Sequence, residues 1–330
     1  MRRRLSVEEH VQGVLAGNRS ILAQTITLIE SNAAAHQEMA QEVLQRLLPH
    51  TGRSVRIGIT GVPGAGKSTL IESFGSMLCD QGHRVAVLAV DPSSTVTKGS
   101  ILGDKTRMGE LSRNPNAFIR PSAAGKTLGG VARKSRETML VCEAAGYDVI
   151  IMETVGVGQS EVTVRSMVDF FLLIMVTGTG DELQAMKKGV VELADAIFIN
   201  KADGSNKAPA LAAREQMDQM LHYLAPATEG WLSRAYTCSA LTREGIDTIW
   251  SVINDFRQKT GASGVFANRR RSQAVQWMYS MVQDMLISRF YAHEGVSRTL
   301  PDMERAVADG SMSATIAARQ LMNLFEAGEQ

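Results

Sequence analysis

Neither sign of charge is in excess: 35 lysines and arginines face 34 aspartates and glutamates in 330 residues, leaving a net charge of +1. Such a balance gives no bulk electrostatic attraction for nucleic acid or for an acidic partner. Two local clusters, Arg2-Arg3-Arg4 and Arg269-Arg270-Arg271, read as solvated helix ends. Cysteine is scarce and scattered, at Cys79, Cys142 and Cys238; there is no Cys-x-x-Cys pair and no histidine-rich segment, which argues against metal delivery. Long apolar runs are missing too. The longest, Phe170-Phe-Leu-Leu-Ile-Met-Val176, is far too short to span a bilayer and suits a central strand. No apolar signal core follows the N-terminal arginines. The expectation is a cytoplasmic protein with reduced cysteines and no membrane partner. No internal repeat or low-complexity segment is found.

What is present is a nine-residue stretch: Gly61, Val62, Pro63, Gly64, Ala65, Gly66, Lys67, Ser68 and Thr69. It satisfies the phosphate-loop pattern G-x-x-x-x-G-K-[ST] in full. The β-branched run before it reads as a buried strand, and Leu70-Ile-Glu-Ser-Phe-Gly-Ser-Met-Leu78 after it has helical apolar spacing. In that context the glycines let backbone N–H groups turn toward phosphate oxygens and the helix dipole favours the anion. Lys67 reaches the β and γ phosphates, and the Ser68 hydroxyl takes Mg²⁺.

The rest of the chain follows from this centre. Residues 5–49 read as helical, opened by a capping box at Ser6-Val-Glu-Glu9 and striped by Ile21, Gln24, Thr25, Leu28 and Ile29; a second helix must stop by Pro49. From 54 to about 260, short apolar runs alternate with helical segments. That is the pattern of an α/β fold, a mostly parallel sheet with helices on both faces. Later strands are expected at 84–90, 117–120, 148–152, 170–176, 196–200 and 234–238. Beyond Gly261-Ala-Ser-Gly264, a flexible connector, the pattern is wholly helical. Trp277, Met278, Met281, Met285 and Ile287 form an apolar stripe, which Pro301 interrupts and Ile316, Leu321, Leu324 and Phe325 resume. The expected organisation is a helical extension over 1–50, a P-loop domain over 51–260 and a helical dimerisation arm over 261–330.

Ligands gather at the C-terminal ends of parallel strands, and three strand ends supply further boxes. Asn200-Lys201-Ala-Asp203 is the most informative, because its aspartate accepts from guanine N1–H and the exocyclic amine, donors that adenine lacks. A buried carboxylate left unpaired penalises ATP. Glu153-Thr-Val-Gly156 resembles the D-x-x-G box, in which the acid holds Mg²⁺ through water. Asp91 and Asp104 are the remaining candidates to contact Mg²⁺, with helix capping as the alternative for Asp104. Cys238, Ser239 and Ala240, at the end of the last expected strand, resemble the box whose backbone meets the guanine oxygen. The chemistry implied is binding and hydrolysis of GTP to GDP.

With these boxes in order, the chain resembles the MeaB/ArgK family of P-loop GTPases. The carriers are the phosphate loop, Ala89-Val-Asp-Pro-Ser-Ser94, Glu153-Thr-Val-Gly-Val-Gly-Gln-Ser160, Gly180-Asp-Glu-Leu-Gln-Ala-Met-Lys-Lys-Gly189 and Asn200-Lys-Ala-Asp203. The resemblance implies a homodimeric GTPase acting as chaperone of the adenosylcobalamin enzyme methylmalonyl-CoA mutase, gating cofactor loading and protecting the mutase. It also implies catalytic roles for Lys67, Asp91, Asp104 and Glu153, metal roles for Ser68, Asp91, Asp104 and Glu153, and a switch segment at 180–189. A kinase tied to uptake of basic amino acids is the rival attached to the same family. Val157 stands where a water-orienting glutamine would follow the D-x-x-G glycine, so slow intrinsic hydrolysis is expected.

Overall fold

A computed structural model describes residues 5–31, 33–90, 108–121, 128–154, 160–178 and 188–327. Among the described residues the apolar runs pair as seven strands: β1 (Val55–Gly61), β2 (Val85–Val90), β3 (Ala117–Arg120), β4 (Val149–Thr154), β5 (Phe170–Met175), β6 (Ala196–Ile199) and β7 (Arg234–Thr237). They lie in the order β3-β2-β4-β1-β5-β6-β7, and every neighbouring pair is parallel. β1, β4 and β5 are buried along their whole length, as expected of strands covered on both faces.

Alternation decides which layer each side chain enters. Ile57, Ile59, Val85, Val87 and Ile151 join the core under α4 (Lys67–Asp80) and α10 (Ile246–Ala262). Ala86, Leu88, Ile150, Met152 and Phe171 join a second core under α6 (Leu128–Ala144). Between these helices lie the short α5 (Gly109–Arg113), α7 (Ser160–Arg165) and α8 (Lys188–Leu193), and α9 (Lys207–His222) precedes β7.

The N-terminal region forms three helices where two were expected: α1 (Val7–Leu15), α2 (Arg19–Glu30) and α3 (Ala34–Leu47). Gly17, left-handed at φ 69°, separates the first two, and Asn18 caps α2 by accepting from Ser20 N and Ile21 N. The capping box is present, with Glu9 N donating to Ser6 Oγ at 3.2 Å and Ser6 N to Glu9 Oε2 at 2.8 Å. The buried stripe of α2 is Leu22, Thr25, Ile26 and Ile29, whereas Gln24 is exposed. These residues pack with Val131, Met139 and Cys142 of α6, so the N-terminal helices complete a core layer.

The C-terminal helices differ from expectation in two respects, the connector and the place of the interruption. Gly261 and Ala262 still belong to α10, so the connector shrinks to a turn at Ser263 and Gly264, the latter at φ 78°. α11 runs unbroken over Val265–Ala292. Pro301 lies inside α12 (Glu294–Ala308) and does not break it; the interruption comes after Ala308, before α13 (Ala314–Ala327). Two compact units result, Met1–Gln273 and Ala274–Gln330. In the second, exposed Val275, Met278, Tyr279, Val282, Met285 and Leu286 follow a three-and-four spacing along α11; of the expected stripe, Met278, Met285 and Ile287 are exposed and Trp277 and Met281 are half-buried.

The basic cluster at the start of α11 also departs from the expectation of a solvated helix end. Arg270 forms a two-pronged pair with Asp169, at 2.7 and 2.6 Å, and donates to Ser54 O at 2.7 Å. Arg269 donates to Asp169 O and to Thr228 Oγ1. Only Arg271 keeps to the surface, bonding Asn268 at 3.1 Å. Guanidiniums enter here because buried carboxylates at the N-terminal edge of the sheet need counter-charge. The Arg2-Arg3-Arg4 cluster lies outside the described residues.

Candidate functional site

The strand–loop–helix unit forms as the sequence predicts, and its glycines answer to specific neighbours. At Gly61, φ 155°, a Cβ would stand 2.2 Å from the Ile174 carbonyl oxygen of adjacent β5. At Gly66, φ 85°, it would stand 2.7 Å from Asn200 Nδ2. Any side chain at either position would push the loop off β5 or off Asn200. Gly66 is also the N-cap of α4 and offers no side-chain cap, an arrangement in which the first-turn N–H groups suit an anion.

Lys67 Nζ donates to Gly61 O at 2.7 Å and Val62 O at 3.4 Å, so the ammonium lies across the loop's own carbonyls. Burial lowers its pKa, opposed by the charges of Glu153 and Glu161. Ser68 Oγ donates to Glu153 Oε1 at 3.1 Å. Glu153 lies within β4, which runs two residues past the expected end at Met152, and it stands in register with Ile59 of β1 and Ala89 of β2. The Thr154 hydroxyl donates to Thr60 Oγ1 at 2.8 Å and helps hold the two strand ends together. The acid is therefore set on a rigid strand. Glu161, on the first turn of α7, was not anticipated; it is buried and lies within the field of Lys67. Its one sequence cue is that it directly follows the Glu153–Ser160 box.

At the ends of β6 and β7 the boxes converge on Asn200, itself buried. Its Nδ2 donates to Ala65 O at 2.8 Å, and its Oδ1 accepts from Ala240 N at 3.0 Å and from Cys238 Sγ at 3.7 Å. One side chain thus joins the phosphate loop to the segment after β7. Ser239 Oγ donates to the Asp203 carboxylate, and Thr242 N donates to Ser239 Oγ at 3.1 Å. Lys201 adopts the left-handed φ 60°, and its carbonyl accepts from Asn206 Nδ2 at 2.7 Å. Burial pushes the Cys238 thiol up to about 12, which keeps it protonated as the donor.

Of the expected site residues, Gly61 to Thr69, Glu153, Asn200, Lys201, Asp203, Cys238, Ser239 and Ala240 gather at the C-terminal ends of β1, β4, β6 and β7. Asp91, Asp104, Gly156, Val157, Gln159 and residues 180–187 lie outside the described residues. A cavity of about 600 Å³ lies elsewhere, lined by Ala194, Asp218, Tyr223 and Arg234 toward the N-terminal ends of β6 and β7, away from the phosphate loop.

The family model for the methylmalonyl-CoA mutase-associated GTPase MeaB matches residues 22–295. The chain belongs to the MeaB family. It is accordingly a P-loop GTP hydrolase. It is 53% identical over 323 residues to a putative GTPase of Caulobacter vibrioides, covering 97% of this chain and 98% of that protein. With GTPase ArgK of Escherichia coli the identity is 44% over 321 residues, covering 97% of each. A crystal structure described as LAO/AO transport system kinase superposes with a TM-score of 0.78 at 38% identity, covering 99% of both chains.

Proposed function

We propose that this MeaB-family protein is a guanine-specific switch that chaperones methylmalonyl-CoA mutase, gating cofactor loading and protecting the mutase. The carrying observation is the Asn200–Asp203 segment tied to the phosphate loop, in a chain matched by a family named for association with that mutase. Asp203, oriented by Ser239, accepts from the two guanine donors. Lys67 exchanges its two carbonyl partners for β- and γ-phosphate oxygens, and the uncapped first turn of α4 supplies N–H groups to the same anion.

The Ser68 hydroxyl and the Glu153 carboxylate lie side by side, an oxygen-only pair that suits a small hard cation. Mg²⁺ held there, with Asp91 and Asp104 as further ligands, would neutralise charge developing on the phosphates. Glu153 keeps Ser68 oriented for that role. Hydrolysis by the isolated protein is slow, and the partner accelerates it by acting on the segments at 156–160 and 180–189. The protein works in the cytoplasm as a homodimer through the exposed apolar stripe of α11, a patch that water leaves unsatisfied. Among the described residues, no helix is long and apolar enough to cross a membrane.

The test is single-turnover GTP hydrolysis with and without purified mutase, repeated with Gln159→Ala and Lys188→Ala. Acceleration by the mutase is expected. Fast hydrolysis that the mutase leaves unchanged would refute the gated switch. The second reading, a kinase tied to basic amino-acid uptake, draws support from the name of the 38%-identical solved structure. Transfer of labelled γ-phosphate to protein instead of to water would establish it.

A further inference from the structure

We propose that a buried ion-pair relay centred on Asp195 couples the nucleotide state to the first two turns of α11, making residues 265–273 an output element of the switch; the inference rests on the guanine-switch reading above. The input is α7, which starts immediately after the Glu153 box segment and carries Glu161 on its first turn. Glu161 is buried and lies in the field of Lys67. When the Lys67 ammonium turns from its loop carbonyls to a γ-phosphate, the balance of charge that α7 experiences changes.

The far end of α7 is gripped. Arg165, its last residue, pairs with Asp195 at 3.0 Å and donates to Ala227 O and Thr228 Oγ1, both at 3.2 Å. The Asp195 side chain is fully buried and also accepts from Phe171 N at 2.9 Å and from Thr228 Oγ1. Arg269 of α11 meets the same carboxylate at 3.7 Å and donates to the same Thr228 hydroxyl. Two guanidiniums, one from α7 and one from α11, therefore share one carboxylate and one hydroxyl.

A second grip lies one turn further along α11. Gln273 Nε2 donates to Val168 O at 2.9 Å and to Arg165 O at 3.4 Å. Arg136 of α6 donates to Gln273 O and to Ser166 O, each at 2.7 Å. Carbonyls at and just beyond the end of α7 are thus bonded to α6 and α11 together. In a low-dielectric interior a shared charge is costly to leave half-paired. A displacement of Arg165 therefore shifts Arg269 and Gln273 with it, or breaks the set. α11 is one continuous helix to Ala292 and carries the exposed apolar stripe, so the relay ends on the element that presents that stripe. Coupling of this kind is reciprocal: whatever seizes α11 also biases the nucleotide site.

The experiment is amide hydrogen exchange on the full-length protein bound to GDP and to a non-hydrolysable GTP analogue. Wild type should show a state-dependent difference in exchange at residues 266–273. Asp195→Asn and Arg269→Gln should bind both nucleotides as wild type does while that difference is lost. Arg269→Lys, which keeps the charge but not the fork, should recover part of it. In steady state the variants should lose mutase-stimulated kcat with KM for GTP unchanged, a split that simple destabilisation would not produce. If Asp195→Asn does not fold, Arg269→Gln and Gln273→Met carry the test. Failure of wild type to bind guanine nucleotide overturns the proposed function. Binding with identical exchange at 266–273 in both states, or a difference that survives in the variants, overturns the relay alone.

Discussion

Replacing Asn200 by alanine tests whether one side chain holds the nucleotide site together. The amide makes two strong bonds, to Ala65 O at 2.8 Å and from Ala240 N at 3.0 Å, and takes a third, weaker one from the Cys238 thiol. Asn200, Ala65, Ala240 and Cys238 are all buried, so water cannot replace what is lost. Leaving one buried donor and one buried acceptor unpaired at ~1–3 kcal/mol each gives a loss of about 2–6 kcal/mol. Urea unfolding at constant m reads that figure directly. Asn200→Asp should do no better, because it turns a donor facing the Ala65 carbonyl into a second acceptor. Affinity for GDP should fall in both variants, because the phosphate loop and the segment after β7 are no longer held in register. A stability loss under 0.5 kcal/mol, within the usual range for surface substitutions, would refute the reasoning.

Asp203→Asn should shift preference from guanine toward xanthine nucleotides in competition binding; equal affinity of wild type for ATP and GTP would remove the base assignment. Because burial lowers the Lys67 pKa and an anionic phosphate raises it again, nucleotide binding should take up protons at alkaline pH. Calorimetry in buffers of different ionisation enthalpy reads this uptake, which should grow as pH rises and vanish in Lys67→Met, a variant that should also lose turnover. Burial alone would raise Glu143, but Arg56, Ser54 and Gly52 N hold it below the usual carboxylate range. Its stabilisation is thus present above that range and lost as pH falls through the depressed pKa. Glu143→Gln should cost ~3–5 kcal/mol at neutral pH, with a gap to wild type that narrows on acidification. Truncation after Gly264 removes Arg269, Arg270 and Gln273 and should unfold the sheet domain, whereas truncation after Gln273 should leave it folded; circular dichroism melts distinguish the two.

The phosphate loop, the strand–helix alternation and the placing of Asn200–Asp203 at a strand end were legible because each depends on local spacing, and the six later strands appeared within two residues of their expected ends. What escaped was set by tertiary partners. The strand character of Glu153 comes from its pairing with Ile59 and Ala89, which lie far from it in sequence. Arg269 and Arg270 looked solvated because a run of three arginines carries no sign of the aspartates that bury two of them. The break at Gly17 hid inside one continuous apolar pattern, since leucine and isoleucine on either side serve two short helices as readily as one long one. Pro301 looked like a stop, but it lies on an exposed stretch of α12 where a single missing N–H was tolerated.

The order of strands has a consequence for how the protein comes into being. The phosphate loop is encoded by residues 61–69, yet two of its glycines are shaped by something made much later: Gly61 by Ile174, Gly66 by Asn200. Asn200 in turn is aligned by Ala240. A ribosome that has passed the loop has made the motif but not the site, and about 170 further residues must emerge before the last hydrogen bond can close, roughly ten to thirty seconds at ~5–20 residues per second. Incomplete chains lack the bond from Ala240 that aligns Asn200 with the phosphate loop, so the complete site exists only in a molecule whose synthesis has gone past β7.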